Sequence, residues 1–86
     1  MSPALVTAPL VTVRYWAGAR AAAGVGSDQV NAGSVAAVAV AAAELHPALR
    51  PVLAVATFLL DGVAARPDDL VAEGATVEIL PPFAGG

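Results

Sequence analysis

Apolar and polar positions alternate with a period of two near each end of the chain. Residues 10–16 and residues 76–80 both show this pattern, which is typical of a strand with one buried face. The apolar positions, predicted to face the core, are Val11, Val13, Tyr15, Val77 and Ile79. The opposite face carries Thr12, Arg14, Trp16, Glu78 and Leu80. Both segments are therefore predicted to belong to a sheet that is covered on one side.

A helical period dominates the middle of the chain. The apolar residues that recur at helical spacing after Ser34 are Val35, Val38, Ala42, Leu45 and Leu49. Ser34 follows Gly33 and is a favourable N-cap, because its hydroxyl can accept a hydrogen bond from an amide of the first turn. Pro47 and Pro51 are predicted to end or distort the helix within residues 46–50, since proline interrupts helical hydrogen bonding.

Turn residues mark the shorter elements. The pair Asp61-Gly62 is typical of a two-residue hairpin, since both of its positions require positive φ. Pro81 and Pro82 end the last strand, because proline has no N–H to donate to a ladder. The remaining predicted elements are a helical turn at 17–23 that stops at Gly24, strands at 27–31, 56–60 and 63–66, and one helical turn within the loop 67–70.

The order of these elements predicts the fold. One helix cannot bury its apolar stripe alone, so the helix and the sheet are expected to form a two-layer α+β domain. The order favours a β-grasp (ubiquitin-like) roll, a mixed sheet of about five strands packed on one main helix. In this roll the first and last strands are parallel neighbours. We predict a mobile leader at 1–9, a β-grasp domain at 10–82 and a flexible tail at 83–86.

Composition narrows the classes of function. The chain has 86 residues, 58% of them apolar, and no cysteine, so one small core must hold it together without disulfides or a cysteine-bound zinc. Its four arginines are scattered and the net charge is −3, which argues against nucleic-acid binding. The longest charge-free stretch inside the domain, 29–43, is shorter than the roughly 18 residues that a spanning helix needs. A signal peptide requires a basic N-terminal region, and no basic residue precedes Arg14. A cytoplasmic location is therefore expected.

The two ends of the domain resemble one known family. Residues 13–20 read Val-Arg-Tyr-Trp-Ala-x-x-Arg and are followed by an alanine-rich turn and Gly24. Residues 77–86 read Val-Glu-Ile-Leu-Pro-Pro-Phe-Ala-Gly-Gly. Both segments resemble the MoaD family of molybdopterin synthase small subunits, which belongs to the MoaD/ThiS superfamily of sulfur carriers. The likeness extends over residues 10–86, and its middle part matches only in pattern.

This resemblance implies a carrier that a partner loads. An ATP-dependent, E1-like (MoeB-like) enzyme would adenylate Gly86, and sulfur would then replace one carboxyl oxygen to give a thiocarboxylate. The MoaE-like large subunit of molybdopterin synthase would use that sulfur to build the dithiolene of molybdopterin. The resemblance implies no cofactor bound by this chain, since the activating partner uses the ATP.

The residues of the tail suit this chemistry. The Gly86 carboxylate is ionised at neutral pH and can attack a nucleotide phosphate. Gly85 and Gly86 have no Cβ, so the tail can pass through a narrow active-site tunnel. Pro81 and Pro82 stiffen the base of the tail, and together with Phe83 they are predicted to contact the partner. An ordinary frayed end is the structural alternative.

A partner-binding patch is predicted beside the tail. Trp16 and Leu80 lie opposite the core-facing positions of strands expected to be neighbours, and exposed aromatic residues often anchor interfaces. The resemblance adds Val63, which with Trp16 and Leu80 would face the large subunit and the activating enzyme. It also places Arg20 against the acidic surface of the activating enzyme. A covered Trp16 and a solvated Arg20 are the alternatives.

Other polar residues are predicted to have structural roles. Arg14 and Glu78 can pair across adjacent strands, and His46 is expected to cap the end of the main helix. The acidic residues Asp68, Asp69 and Glu73 are interpreted as a solvated loop rather than a metal site. The sequence shows neither a hydrolytic constellation nor a phosphate-binding loop. We therefore expect a non-catalytic, sulfur-donating subunit and not an enzyme on its own.

Three other functions remain open at this point. The chain could carry sulfur for thiamine or cysteine synthesis. It could be a ubiquitin-like modifier whose Gly86 forms isopeptide bonds with lysines of other proteins. It could also be a β-grasp interaction module whose tail is idle.

Overall fold

Residues 9–82 are described by the structure, a computed structural model. The predicted tail at 83–86 and all of the predicted leader except Pro9 lie outside the described residues. The elements in chain order are β1 Leu10–Tyr15, α1 Gly18–Ala23, β2 Ser27–Asn31, β3 Gly33–Ser34, α2 Val35–Leu45, a 3₁₀ turn Pro47–Leu49, α3 Arg50–Leu53, β4 Thr57–Leu60, β5 Val63–Ala64, β6 Leu70–Val71 and β7 Thr76–Leu80.

The main sheet has five strands in the order β2-β1-β7-β4-β5. β1 and β7 run parallel, with Val13 opposite Val77 and Tyr15 opposite Ile79. The other neighbouring pairs are antiparallel. The prediction of a mixed sheet with parallel first and last strands is therefore confirmed, and the arrangement is that of the β-grasp roll.

The core lies between the inner face of this sheet and the helices. Its buried residues are Val11, Val13, Tyr15, Ala19, Val30, Val35, Val38, Ala42, Leu49, Val71, Val77 and Ile79. All the apolar strand positions predicted to face inward are among them. The predicted cap of α2 is also confirmed, since Ser34 Oγ accepts a hydrogen bond from Ala37 N at 3.1 Å. These apolar contacts are the main source of stability in a domain of this size.

Leu45 departs from the predicted apolar stripe of α2, because 53% of its surface is exposed. The centre of the stripe runs along Ala39 and Ala42, both buried. Leu45 lies roughly a quarter of a helical turn away from that line, at the last residue of the helix.

The segments around the prolines also differ from the predictions. The loop 67–70 contains a single hydrogen-bonded turn, with Asp69 N donating to Arg66 O at 3.1 Å, but no helix. It leads into β6, which was not predicted and pairs antiparallel with β3 as a second, two-stranded sheet. This segment supplies the acceptors for the start of α2, since Val35 N donates to Asp69 O and Ala36 N to Pro67 O. The short helix α3 was not predicted, because proline in general interrupts a helix. Pro51 instead lies in the first turn of α3, where a missing N–H costs nothing.

Turn chemistry was predicted more accurately. Asp61 and Gly62 have φ values of 48° and 85°, which confirms the two-residue hairpin between β4 and β5. Gly24 has a φ of 78° and ends α1, its N–H donating to Arg20 O at 2.9 Å. None of the helices within residues 9–82 has the length and apolar character needed to cross a bilayer.

Candidate functional site

Trp16 lies beside the point where the chain leaves the sheet. Its backbone N–H donates to Ile79 O at 3.2 Å, so the pairing of β1 with β7 continues one residue past the end of β1. Pro81 is close to Gly18, where an added Cβ would be 3.9 Å from the Pro81 Cγ. The structure thus brings Trp16, Leu80 and Pro81 together at the base of the predicted tail, next to the exposed Pro82.

The outer face of the sheet is uncovered within residues 9–82. All three helices contribute side chains to the core on the inner face. On the outer face, Leu80 is half-buried beside Thr57, its partner in β4. Trp16 has 39% of its surface exposed. An exposed aromatic ring beside a half-buried leucine is the composition of a protein-binding patch.

Two polar contacts hold the Trp16 side chain on this face. The indole Nε1–H donates to Glu78 Oε2 at 2.8 Å, and the Arg14 guanidinium carbon lies 4.9 Å from the centre of the indole ring. The predicted ion pair between Arg14 and Glu78 is not formed, although the two residues are opposite each other in register. The indole satisfies both groups instead: Glu78 accepts from its N–H, and Arg14 stacks on its face.

Val63 lies apart from this patch. The two-residue turn pairs Val63 with Leu60, and Leu60 is in turn paired with the buried Val77. Directly paired residues project to the same side of a sheet, so Val63 is on the inner side, on the edge strand, with 69% of its surface exposed. The structure does not bring it together with Trp16 and Leu80.

Arg20 is exposed on α1 and borders a small cleft next to Trp16. The cleft has a volume of about 260 Å³ and is lined by Arg14, Tyr15, Trp16, Ala17, Arg20, Gly26 and Ser27. Sequence reasoning missed it because its walls come from β1, α1 and the start of β2. Ala17 in its wall has a φ of 49° and a ψ of −121°, a conformation that costs an L-residue energy and that no sequence signal indicated.

Behind Trp16, on the inner side, three polar side chains form a network. Asp28 Oδ2 accepts from Tyr15 OH at 3.0 Å and lies 2.6 Å from His46 Nε2. The Tyr15 and His46 rings meet edge to face at 5.9 Å. Burial raises the pKa of Tyr15 well above its ordinary value, and the hydrogen bond to Asp28 and its negative charge add to the rise.

This network connects β1, β2 and the end of α2, so it serves the fold. The His46 backbone N–H donates to Ala42 O, which is consistent with the predicted role at the helix end. The His46 side chain contacts Asp28 instead, and no local pattern indicated that pairing.

Phe83, Gly85 and Gly86 lie outside the described residues. In the acidic loop, Asp69 Oδ2 accepts from Arg66 N at 2.8 Å and stabilises a turn. Within residues 9–82, no group of three or more histidine, aspartate or glutamate side chains is placed to hold a metal ion.

The sequence matches the ThiS family over residues 13–86. No curated protein matches it. The match over these 74 residues includes the second half of β1, all of β7 and the whole predicted tail, so it covers the candidate site.

Solved structures share the fold at low sequence identity. SAMP1 from Haloferax volcanii is 24% identical and superposes with a TM-score of 0.80, covering 90% of this chain and 99% of its own. A putative molybdopterin converting factor subunit 1 from Pyrococcus furiosus is 20% identical, with a TM-score of 0.79 and coverages of 88% and 100%. A chain from the complex of subunits 1 and 2 of molybdopterin-converting factor of Helicobacter pylori is 19% identical, with a TM-score of 0.68 and coverages of 90% and 99%.

Proposed function

The chain belongs to the ThiS family of ubiquitin-like sulfur carriers, and we propose that it carries sulfur for molybdenum cofactor biosynthesis as the small subunit of molybdopterin synthase. In this function the Gly86 carboxylate attacks the α-phosphate of ATP, and pyrophosphate leaves. A sulfur nucleophile from a donor then displaces AMP from the acyl adenylate. The product is a thiocarboxylate, which gives up its sulfur to the molybdopterin precursor.

The observation that carries this proposal is the position of Trp16, Leu80 and Pro81 around the exit of the chain from β7. A carrier must be held by its body while its end reaches into another protein's active site. The uncovered outer face offers an anchor for the body, and the chain leaves the sheet at the edge of that anchor. Gly85 and Gly86 then present no side chain to the walls of a tunnel.

Two partners follow from the proposal. The MoaE-like large subunit would dock on the patch formed by Trp16 and Leu80, and the Helicobacter relative of this fold is seen in a complex with its subunit 2. The MoeB-like E1 enzyme would use the same patch, with Arg20 against its acidic surface. Arg20 is exposed next to Trp16, which is compatible with one continuous docking surface.

Mass spectrometry tests the chemical step. The chain is incubated with the E1-like enzyme, ATP and a sulfur donor, and we expect one oxygen of the protein to be exchanged for sulfur. A variant that lacks Gly86 and a variant with one residue added after Gly86 should show no exchange. Absence of exchange in the unmodified chain, with an enzyme that loads its own carrier, would rule out the proposal.

Complementation separates molybdopterin synthesis from the other sulfur-carrier pathways. Expression of this chain should restore molybdoenzyme activity in a strain that lacks its own small subunit. It should not restore growth without thiamine or without cysteine in the corresponding deletion strains. Rescue of either growth defect in place of molybdoenzyme activity would assign the chain to that other pathway.

Protein modification is a second candidate, favoured by the fold shared with SAMP1, a small archaeal modifier protein. Both functions begin with activation of Gly86 and differ in the acceptor. As a modifier, the chain would form covalent adducts with lysines of other proteins in cell extracts, and removal of Gly85 and Gly86 would abolish them.

A further inference from the structure

The cleft beside Trp16 concentrates positive charge in an acidic protein. The chain has four arginines and no lysine, against seven acidic residues. Two of those arginines, Arg14 and Arg20, line a single cleft of about 260 Å³. Half of the arginines of the chain therefore line this cleft. The charge of the cleft is positive, whereas the net charge of the protein is −3.

In the described part of the chain, neither guanidinium forms an ion pair with a carboxylate. The ion pair found among residues 9–82 joins Asp28 and His46. Glu78, which is opposite Arg14 in register, instead accepts the hydrogen bond of the Trp16 indole. As far as residues 9–82 are concerned, the donors of Arg14 and Arg20 make no ion pair and can contact a ligand.

Both guanidinium groups lie beside other residues of the cleft wall. Arg14 stacks on the indole of Trp16, with 4.9 Å between its guanidinium carbon and the ring centre. Arg20 is close to Gly26, where an added Cβ would be 3.9 Å from its Cζ and Nε atoms. The contact with the indole restricts Arg14 before binding, and a restricted side chain loses less conformational entropy when a ligand arrives.

We propose that this cleft binds the phosphate group of a small phosphorylated molecule. A guanidinium presents a planar fork of N–H donors that fits two phosphate oxygens, and two such groups match the double negative charge of a phosphate monoester. Ser27 contributes a hydroxyl to the lining, and Trp16 adds an aromatic wall. The volume exceeds that of phosphate alone, so the cleft has room for part of the molecule that carries it.

The inference goes beyond the sulfur-carrier function and does not rest on it. It concerns a ligand of the chain itself and uses residues that lie before the tail. Arg20 is also proposed to meet an acidic partner surface, and both roles follow from the same uncompensated charge. A phosphate ligand would therefore compete with an acidic partner for Arg20.

Fluorescence provides a direct test, since Trp16 is the only tryptophan and lies in the wall of the cleft. The full chain is titrated with inorganic phosphate, with AMP and with adenosine, at constant ionic strength set by chloride. We expect a saturable change with phosphate and with AMP, and none with adenosine. Tighter binding of AMP would identify a nucleotide as the source of the phosphate, and equal binding would identify the free ion.

The remaining two arginines provide matched controls. Arg14→Gln and Arg20→Gln should each weaken phosphate binding by about tenfold or more, as expected for the loss of one charge-assisted contact. Arg50→Gln and Arg66→Gln change the net charge equally and should bind phosphate like the unmodified chain. Because Arg14→Gln also changes the environment of the indole, the amide shifts of Gly26 and Ser27 in ¹H–¹⁵N NMR spectra serve as a second readout.

Three results would overturn the proposal. The first is no saturable response to phosphate or AMP. The second is a response to adenosine equal to that of AMP, which would show that the phosphate group is not recognised. The third is an equal loss of binding in all four arginine variants, which would show a dependence on net charge alone. Far-UV circular dichroism confirms that each variant is folded before it is compared.

Discussion

The two faces of the main sheet are built from the same strands and behave differently. On the inner face, Val13, Tyr15 and Ile79 are buried to 3% exposure or less. On the outer face, Arg14 and Trp16 are exposed and Glu78 is only half-buried. Neighbouring residues of one strand therefore have opposite environments, because successive side chains project to opposite sides.

This difference separates stability from recognition. Burial of an aliphatic side chain on the inner face contributes about 1.5–3 kcal/mol. The exposed polar contacts of the outer face contribute about 0–1 kcal/mol each, because water competes for the same groups. The outer face is thus free to carry the chemistry of docking while the inner face holds the fold. Substitutions on the inner face should therefore lower stability, and substitutions on the outer face should mainly weaken partner binding.

Removing a buried side chain should have the largest effect. We expect Ile79→Ala to lower the free energy of unfolding by about 2–5 kcal/mol, since it leaves a cavity in the core. The neighbouring outer-face substitution Leu80→Ala should cost about 1 kcal/mol or less. Urea denaturation followed by circular dichroism measures both. Equal losses in the two variants would contradict the division between the faces.

Disruption of the polar network on the inner face should have the second-largest effect on the free energy of unfolding. Asp28→Ala leaves the buried hydroxyl of Tyr15 without its acceptor and removes the partner of His46. We expect a loss of about 1–3 kcal/mol in the free energy of unfolding. In the Tyr15→Phe background the same substitution should cost less, because the hydroxyl is already absent. Strict additivity in this double-mutant cycle would show that the two residues are not coupled.

The raised pKa of Tyr15 predicts a loss of stability in alkaline solution. Folding favours the protonated phenol, so this contribution is fully present below the unfolded-state pKa of about 10 and is lost as the pH rises above it. Tyr15→Phe should flatten this part of the stability profile. In Asp28→Ala, tyrosinate absorbance should appear at lower pH than in the unmodified chain. An unchanged titration would exclude the contribution of Asp28.

The smallest effect on stability is expected at Trp16. Trp16→Glu should change the free energy of unfolding by less than about 1 kcal/mol, because the ring is partly exposed and its polar contacts lie at the surface. The same substitution should weaken binding of the large subunit by about thirtyfold or more, as expected for an aromatic anchor. Isothermal titration calorimetry measures this affinity. Val40→Glu, at an exposed apolar site on α2, on the opposite side of the sheet from the patch, should bind like the unmodified chain.

Most regular elements could be predicted, because their signals are local. The alternation within β1 and β7 identified every inward-facing residue of those strands, and Ser34 and Asp61-Gly62 marked a helix start and a hairpin. The errors fell where distant segments decide the outcome. Leu70 and Val71, where the loop 67–70 ends, form a strand because Gly33 and Ser34 pair with them, and no local pattern indicates that partner.

In the candidate site too, some features follow from local patterns and others depend on distant segments. The exposed position of Trp16 beside the end of β7 follows from alternation and from the parallel pairing predicted for the two strands. The side of the sheet on which Val63 lies depends on the hairpin register. The contact between Trp16 and Glu78 joins residues 62 positions apart, and the pair Asp28 and His46 joins residues 18 apart.

By itself the sequence determined the strands, the main helix, the inward-facing residues and the chemistry of a side-chain-free carboxyl end. Only the tertiary structure decided that Arg14 stacks on Trp16 rather than pairing with Glu78, that Arg20 shares their cleft, and that Asp28 is bound by Tyr15 and His46. The reason is physical. Periodicity depends on backbone geometry within a few residues, whereas the partners of polar side chains depend on which distant segments the core brings together.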